Sequence, residues 1–334
     1  MKGICHYCGE EKEYKKNTHY LTDSIIKRCL NQDGLKTREK GLYFDMSSNV
    51  PFSTLEFQRN AKPERIQEIL GREATEEEIE KSKNTIAYSS DNAFCSDCET
   101  KFYKIEQDFL NNIVAFKKGE YKDSIAIRKF FYLQLWRTAI CDKNFIIPDK
   151  TKEYLKECLQ NNCTTEEINK LPLAITYLET PDSEYTENIV GICTNNNPYI
   201  IIMNDYIIQM YDSVDDIQYD NLFGINLNNT YQSFINYNET EFEIQNVDNR
   251  IRKQFLEKYW KYQNDKWDNF LTQFHIKIYK KRFGSKPSKK NTQEFLKWIL
   301  QSDDYNLKEN SLKAIYEYYF KRYKIKLEDK DFSD

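Results

Sequence analysis

Four of the nine cysteines fall into two C-x-x-C pairs. Cys5-His6-Tyr7-Cys8 stands near the start, followed by Gly9, and Cys95-Ser96-Asp97-Cys98 follows after 86 intervening residues. Each pair can turn both sulfurs toward one ion, and two pairs complete a tetrahedral Cys₄ site. Thiolates are soft donors that prefer zinc to magnesium or calcium. His6 is an alternative fourth donor, although the x-x spacing favours the sulfurs. Cys29, Cys141, Cys158, Cys163 and Cys193 are scattered singly along the chain. A redox role for either pair would need a thioredoxin-like βαβ pattern around it, which the sequence lacks. The intervening segment is longer than in ordinary zinc ribbons. Loop-closure entropy grows only logarithmically with length, so a metal can still close it.

Two further groups sit inside this frame. Thr18-His19-Tyr20-Leu21 opens an apolar stretch, and the second pair is followed at once by Glu99, then by Phe102 and Glu106 at helical spacing. Read alone, His19 is an ordinary surface histidine. Glu99 is an acid favoured in the first turn of a helix by the macrodipole, and Glu106 is a solvated helix residue. Trp136 and Arg137 read as core packing and a structural ion pair.

Taken together, C-x-x-C-G, a histidine about ten residues later and a closing C-x-x-C-E helix resemble the bacterial HNH-type, ββα-metal endonucleases. Trp136-Arg137 adds to the likeness, which covers roughly residues 1–140. The resemblance implies structural zinc on Cys5, Cys8, Cys95 and Cys98. It implies His19 as the general base that activates water, with Asn92 orienting the loop that carries it. It implies Glu99 as ligand of a catalytic divalent metal, and a carboxylate suits Mg2+ or Mn2+. Thr18 stands where the family often has a metal-binding aspartate, and Thr22 where it has proline; Asp23 is a candidate substitute ligand that no sequence feature singles out. The implied activity is hydrolysis of phosphodiester bonds in DNA, with RNA second, in an anti-phage setting that would supply a protein partner. The alternatives are a catalytically inactive zinc module that binds nucleic acid or protein, and a zinc-stapled regulatory subunit.

Charge distribution adds a second surface. Net charge is only −4, but residues 250–290 hold 13 lysines and arginines against 3 acids. Residues 171–249 hold no lysine or arginine and 13 acids. Lys280, Lys281, Arg282, Lys286, Lys289 and Lys290 are the expected phosphate contacts. Trp260, Tyr262 and Trp267 are either core aromatics or stacking platforms. The acidic segment is expected to dock on this basic face.

The elements that must position these groups read as an α+β chain. An N-terminal zinc-stabilised ββα-metal module with a helical insertion spans 1–117. A core helix with an acidic small antiparallel sheet spans 118–249, and a basic, aromatic-rich helical domain spans 250–334. Within the first unit the pattern predicts a helix over 18–33 that Gly34 stops. It predicts a strand over 41–46, a charged helix pair over 62–83 with a Thr75–Glu78 capping box, and a strand over 85–89. Residues 121–140 are apolar all round and predict a buried helix. Residues 151–170 predict short helices with a Thr164–Glu167 capping box. Val190–Cys193, Tyr199–Met203, Tyr206–Tyr211 and Phe242–Ile244 read as strands, with turns at 195–198 and 204–205. Apolar runs fall far short of the roughly 20 residues of a membrane span, so a cytoplasmic protein with no membrane partner is expected.

Overall fold

The computed structural model describes residues 2–25, 88–143, 145–179, 190–193, 197–218, 221–227, 230–237, 241–300 and 307–331; between 42 and 80 it describes 42–45, 54–57 and scattered positions from 63 on. The predicted helix beyond residue 25, most of the 62–83 pair with its capping box, most of the 85–89 strand and residues 195 and 196 of the first turn lie outside these residues.

The first strands are β1 (Lys2–Ile4), β2 (Glu11–Glu13), β3 (Thr18–His19), β4 (Leu42–Asp45), β5 (Thr54–Phe57) and β6 (Ser89–Ser90). They form three two-stranded antiparallel ribbons, β1–β2, β3–β6 and β4–β5. Helices α1 (Ser96–Asn111), α2 (Ile113–Lys117), α3 (Ser124–Cys141), α4 (Asp149–Gln160) and α5 (Thr165–Ile168) follow. Then come β7 (Leu173–Leu178), β8 (Val190–Cys193), β9 (Tyr199–Met203), β10 (Tyr206–Met210), β11 (Ile235–Asn236) and β12 (Gln245–Val247). The chain continues in α6 (Asn249–Phe283), α7 (Lys289–Leu300) and α8 (Leu307–Tyr323). This mixed architecture is α+β.

The larger sheet runs β11-β7-β10-β9-β8, with β12 also on β7. All its pairings are antiparallel except β12–β7, which is parallel. The predicted strand at 242–244 is displaced to Gln245–Val247 because Asn236 and Glu243 close a loop there. The Asn236 amide donates to the Glu243 carbonyl (2.8 Å) and its Oδ1 accepts from the Glu243 amide (2.7 Å). The turn between β9 and β10 is Asn204-Asp205, with Asn204 at φ 51°, where asparagine pays little.

Strand periodicity assigns the two faces of the sheet. Leu173, Ile175, Tyr177, Ile201, Met203, Tyr206 and Ile208 enter the main core, while Leu178, Ile200, Ile202, Ile207 and Val247 pack with Phe255, Leu256 and Tyr259 of α6. Burial on both faces is why these strands read as unbroken apolar runs.

The main core crosses residue 117. It joins Cys5, Tyr7, Phe94 and Phe102 to Phe130, Phe131, Trp136 and Leu155. Tyr7, Phe94 and Phe102 close around Trp136 in an aromatic cluster, with centroids 4.8–6.2 Å apart. Helix α3 is buried as its composition predicts, capped by Asp123, whose side chain accepts from the Ala126 amide. The 35-residue α6 starts at an Asp248 cap and ends at Gly284 in the left-handed region (φ 72°). Its second half builds a separate core with α7 and α8, including Trp267, Leu271, Ile278, Phe295 and Tyr319. Among the described residues, no helix is long and apolar enough to cross a membrane.

Candidate metal centre and the adjoining carboxylate cluster

The first cysteine pair occupies the turn between β1 and β2. The Gly9 amide donates to the Cys5 carbonyl (2.8 Å) and the Cys5 amide to the Glu10 carbonyl (3.0 Å). Gly9 takes φ 75°, a conformation most side chains resist. The second pair opens α1: Cys95 is the extended N-cap residue and Cys98 lies in the first turn. Backbone bonds sew the two turns together, from the His6 amide to the Ala93 carbonyl (3.1 Å) and from the Lys15 amide to the Phe94 carbonyl (2.8 Å).

The four sulfurs consequently lie within 4.8 Å of one another, and Cys5 Sγ is 3.7 Å from Cys98 Sγ. Zinc bonded tetrahedrally at its usual thiolate distance holds sulfurs about 3.8 Å apart. Cys5, Cys95 and Cys98 are buried, and His6 is exposed and outside the group. Burial pushes the Cys98 thiol up strongly. For Cys5, burial also acts upward, but the amides of Cys8, Cys95 and Tyr7 outweigh it and bring the thiol down to about 7. Four thiolates this close repel one another unless a cation sits among them. The cluster can therefore hold a metal such as zinc.

His19 lies on β3, paired with Ser89 of β6, and not at the start of a helix. A two-residue strand leaves no periodicity to read, so the local apolar pattern pointed to a helix that the described residues begin only at Asp23. His19 is partly buried, with Nε2 3.5 Å from Asp23 Oδ1. The segment after it is stitched to the helices. The Thr22 amide donates to Gln134 Oε1 (2.9 Å), and the Thr22 hydroxyl donates to Glu106 Oε1 (3.2 Å).

Arg137 links the rest. Its guanidinium lies 3.0 Å from Glu106 and 3.7 Å from Glu99. Burial raises both carboxyls, and Arg137 pulls them back. Glu99 Oε1 is buried without a hydrogen bond. Cys141 adjoins the same group; burial pushes its thiol up to about 12.

The reading of Trp136 as core and Arg137 as a structural ion pair holds, and what the sequence did not show is that Glu106 is the partner. Glu106 is not a solvated helix residue, because it faces α3 beneath Thr22. Asn92 is exposed, and its amide donates to Ser90 Oγ (3.4 Å). The side chain that reaches the approach to β3 is Asp91, whose Oδ1 accepts from the Asn17 amide at 2.6 Å.

The basic residues gather where α6 turns into α7. Lys280, Lys281, Lys286, Lys289 and Lys290 are exposed. Arg282 is tied to Asp331, and Lys281 donates to the Lys330 carbonyl. Of the acids in 171–249, Glu241 and Glu243 pair with Lys122, whereas Asp205 pairs with Arg252 at the start of the basic segment and not with the Lys280–Lys290 cluster. Trp267 belongs to the third core, while Tyr262 packs on Phe223 and stays 46% exposed. No protein-family model, curated protein or solved structure matches this chain.

Proposed function

We propose that the chain is a metal-dependent, HNH-like endonuclease that hydrolyses phosphodiester bonds of DNA. The observation that carries this reading is the antiparallel β3–β6 ribbon, from which the chain passes through Cys95 and Cys98 into α1, with His19 on the ribbon and Glu99 in the first turn of the helix. His19 takes the proton of the attacking water at a ring nitrogen. Asp23, 3.5 Å from Nε2, stabilises the imidazolium that results. Glu99, whose Oε1 lacks a hydrogen bond, is the carboxylate that would hold Mg2+ or Mn2+. When bound, that ion supplies charge stabilisation at the scissile phosphate. The Glu106–Arg137 pair holds α1 against α3 and keeps Glu99 in place.

A second reading has its own support. Thr18 and Thr22 are buried at positions where the family pattern has Asp and Pro, and Arg137 already balances charge on Glu99 and Glu106. These features suit a catalytically inactive zinc module that binds nucleic acid or a protein partner. A plasmid-nicking assay with Mg2+ or Mn2+ separates the two. Nicking by wild type and not by His19→Ala supports the nuclease. Equal nicking by both removes His19 from catalysis, and no nicking together with a DNA mobility shift supports the binding module.

A further inference from the structure

A groove of about 320 Å³ opens between α7 and α8, lined by Glu294, Lys297, Trp298, Tyr318, Lys321 and Arg322. Trp298 is its aromatic wall. The ring remains 38% exposed although Tyr318 meets it edge-on at 6.1 Å and Lys321 Nζ stands 5.2 Å from its centroid. An exposed tryptophan alone needs no explanation. Three cations line the groove with it: Lys297, Lys321, which lies 3.5 Å from Glu317 outside the lining, and Arg322, which is paired at 2.9 Å with Glu294, the one acid among the described lining residues. The groove also continues the basic corner. Lys290 and Lys297 are seven residues apart on α7, on the same side of the helix and about 10 Å apart along its axis.

A flat apolar ring flanked by positive charges complements a ligand that alternates flat rings with phosphates. Bases inside a duplex cannot reach the face of a protein ring without leaving the stack. We propose that the groove around Trp298 binds an unpaired segment of nucleic acid, one base stacking on Trp298 and the adjoining phosphates meeting Lys297, Lys321 and Arg322. The inference rests on the nucleic-acid reading above but not on its chemistry. The groove shares no residue with the His19 cluster, so strand binding and cleavage fail separately.

The test uses full-length His19→Ala protein without divalent metal, so that no cleavage intrudes. Fluorescence anisotropy follows a labelled oligothymidylate of about a dozen nucleotides, within the span of ordinary single-strand sites. Trp298→Ala should weaken binding roughly five- to 150-fold, the range expected for loss of one base–aromatic stack. Trp298→Phe should retain most of the affinity, and Lys321→Gln should reduce the slope of log affinity against log salt by about 0.7. A duplex of equal length should bind more weakly, and inorganic polyphosphate should compete poorly. Equal affinity of Trp298→Ala and wild type, equal or tighter binding of the duplex, or full displacement by polyphosphate would each overturn the proposal. So would failure of the oligothymidylate to bind. If Trp298→Ala does not fold, Trp298→Phe and Lys321→Gln carry the decision through the competition and salt series.

Discussion

Arg137 Nη1 lies 3.0 Å from Glu106 Oε1, at the seam where α3 packs on α1. The Arg137 side chain is 3% exposed, and Glu99 lies on its other side. Two carboxylates on one helix thus share a single cation on another. Removing that cation strands two buried acids, which costs far more than the ion pair itself contributes. Arg137→Met should lower unfolding stability by about 3–5 kcal/mol in urea titration. Adding Glu106→Gln to it should restore part of the loss, because one stranded charge disappears. A single variant within about 1 kcal/mol of wild type would show that water already solvates these acids.

The cysteine cluster makes a second prediction. Purified protein should carry one transition-metal ion per chain, and Cys98→Ser should release it. The metal closes residues 5–98 into one loop, so its loss should lower stability by several kcal/mol. That is less than the roughly 10–16 kcal/mol of an isolated zinc finger, because Phe94, Phe102 and Trp136 still pack without it. Metal analysis paired with thermal unfolding, with and without chelator, checks both parts. Protein that folds and contains no transition metal would remove the site.

Within an element, the sequence was informative. The C-x-x-C spacing, the all-round apolar α3, the Thr164–Glu167 capping box and the β9–β10 hairpin each follow from residues close together in the chain. Pairings between distant elements were not legible. Nothing local to Thr18-His19 points to Ser89-Ser90, and nothing local to Arg137 selects Glu106 over another acid. The same holds for β12, which pairs parallel to β7 across almost seventy residues. Periodicity tells which face of an element is apolar, and it does not tell which other face will cover it. Buried polar residues must find partners, so Arg137 on an apolar helix pointed to an ion pair without naming its partner, and the burial of Arg128 and Gln134 on the same helix went unread. Trp298 escaped notice for a related reason: its significance lies in Lys321 and Arg322 from the next helix.

The third prediction concerns His275, which is fully buried where α6 meets α7 and α8. Its ring stacks on Phe295 at 4.2 Å, Nδ1 accepts from the Tyr319 hydroxyl at 2.8 Å, and Nε2 stands 3.1 Å from Asn291 Oδ1. This arrangement suits neutral imidazole with the proton on Nε2. Its neighbours Tyr279, Phe295, Tyr318, Tyr319 and Asn291 carry no negative charge at neutral pH to welcome a second proton. Burial lowers the pKa to about 4, and the Asn291 bond only partly opposes it. Between that value and the unfolded value of about 6.5, the unfolded chain binds the proton and the folded chain does not. The contribution is therefore complete above about pH 6.5 and drains away as pH falls toward 4, by roughly 3 kcal/mol in total. His275→Phe should be less stable than wild type at neutral pH, since Tyr319 and Asn291 lose a partner, yet it should lose less on acidification. Urea titrations at about pH 7 and about pH 4.5 measure the difference directly, with acid release of the metal common to both proteins and cancelling. Parallel stability curves for wild type and His275→Phe across that range would mean that the imidazole is protonated equally in the folded and unfolded chains.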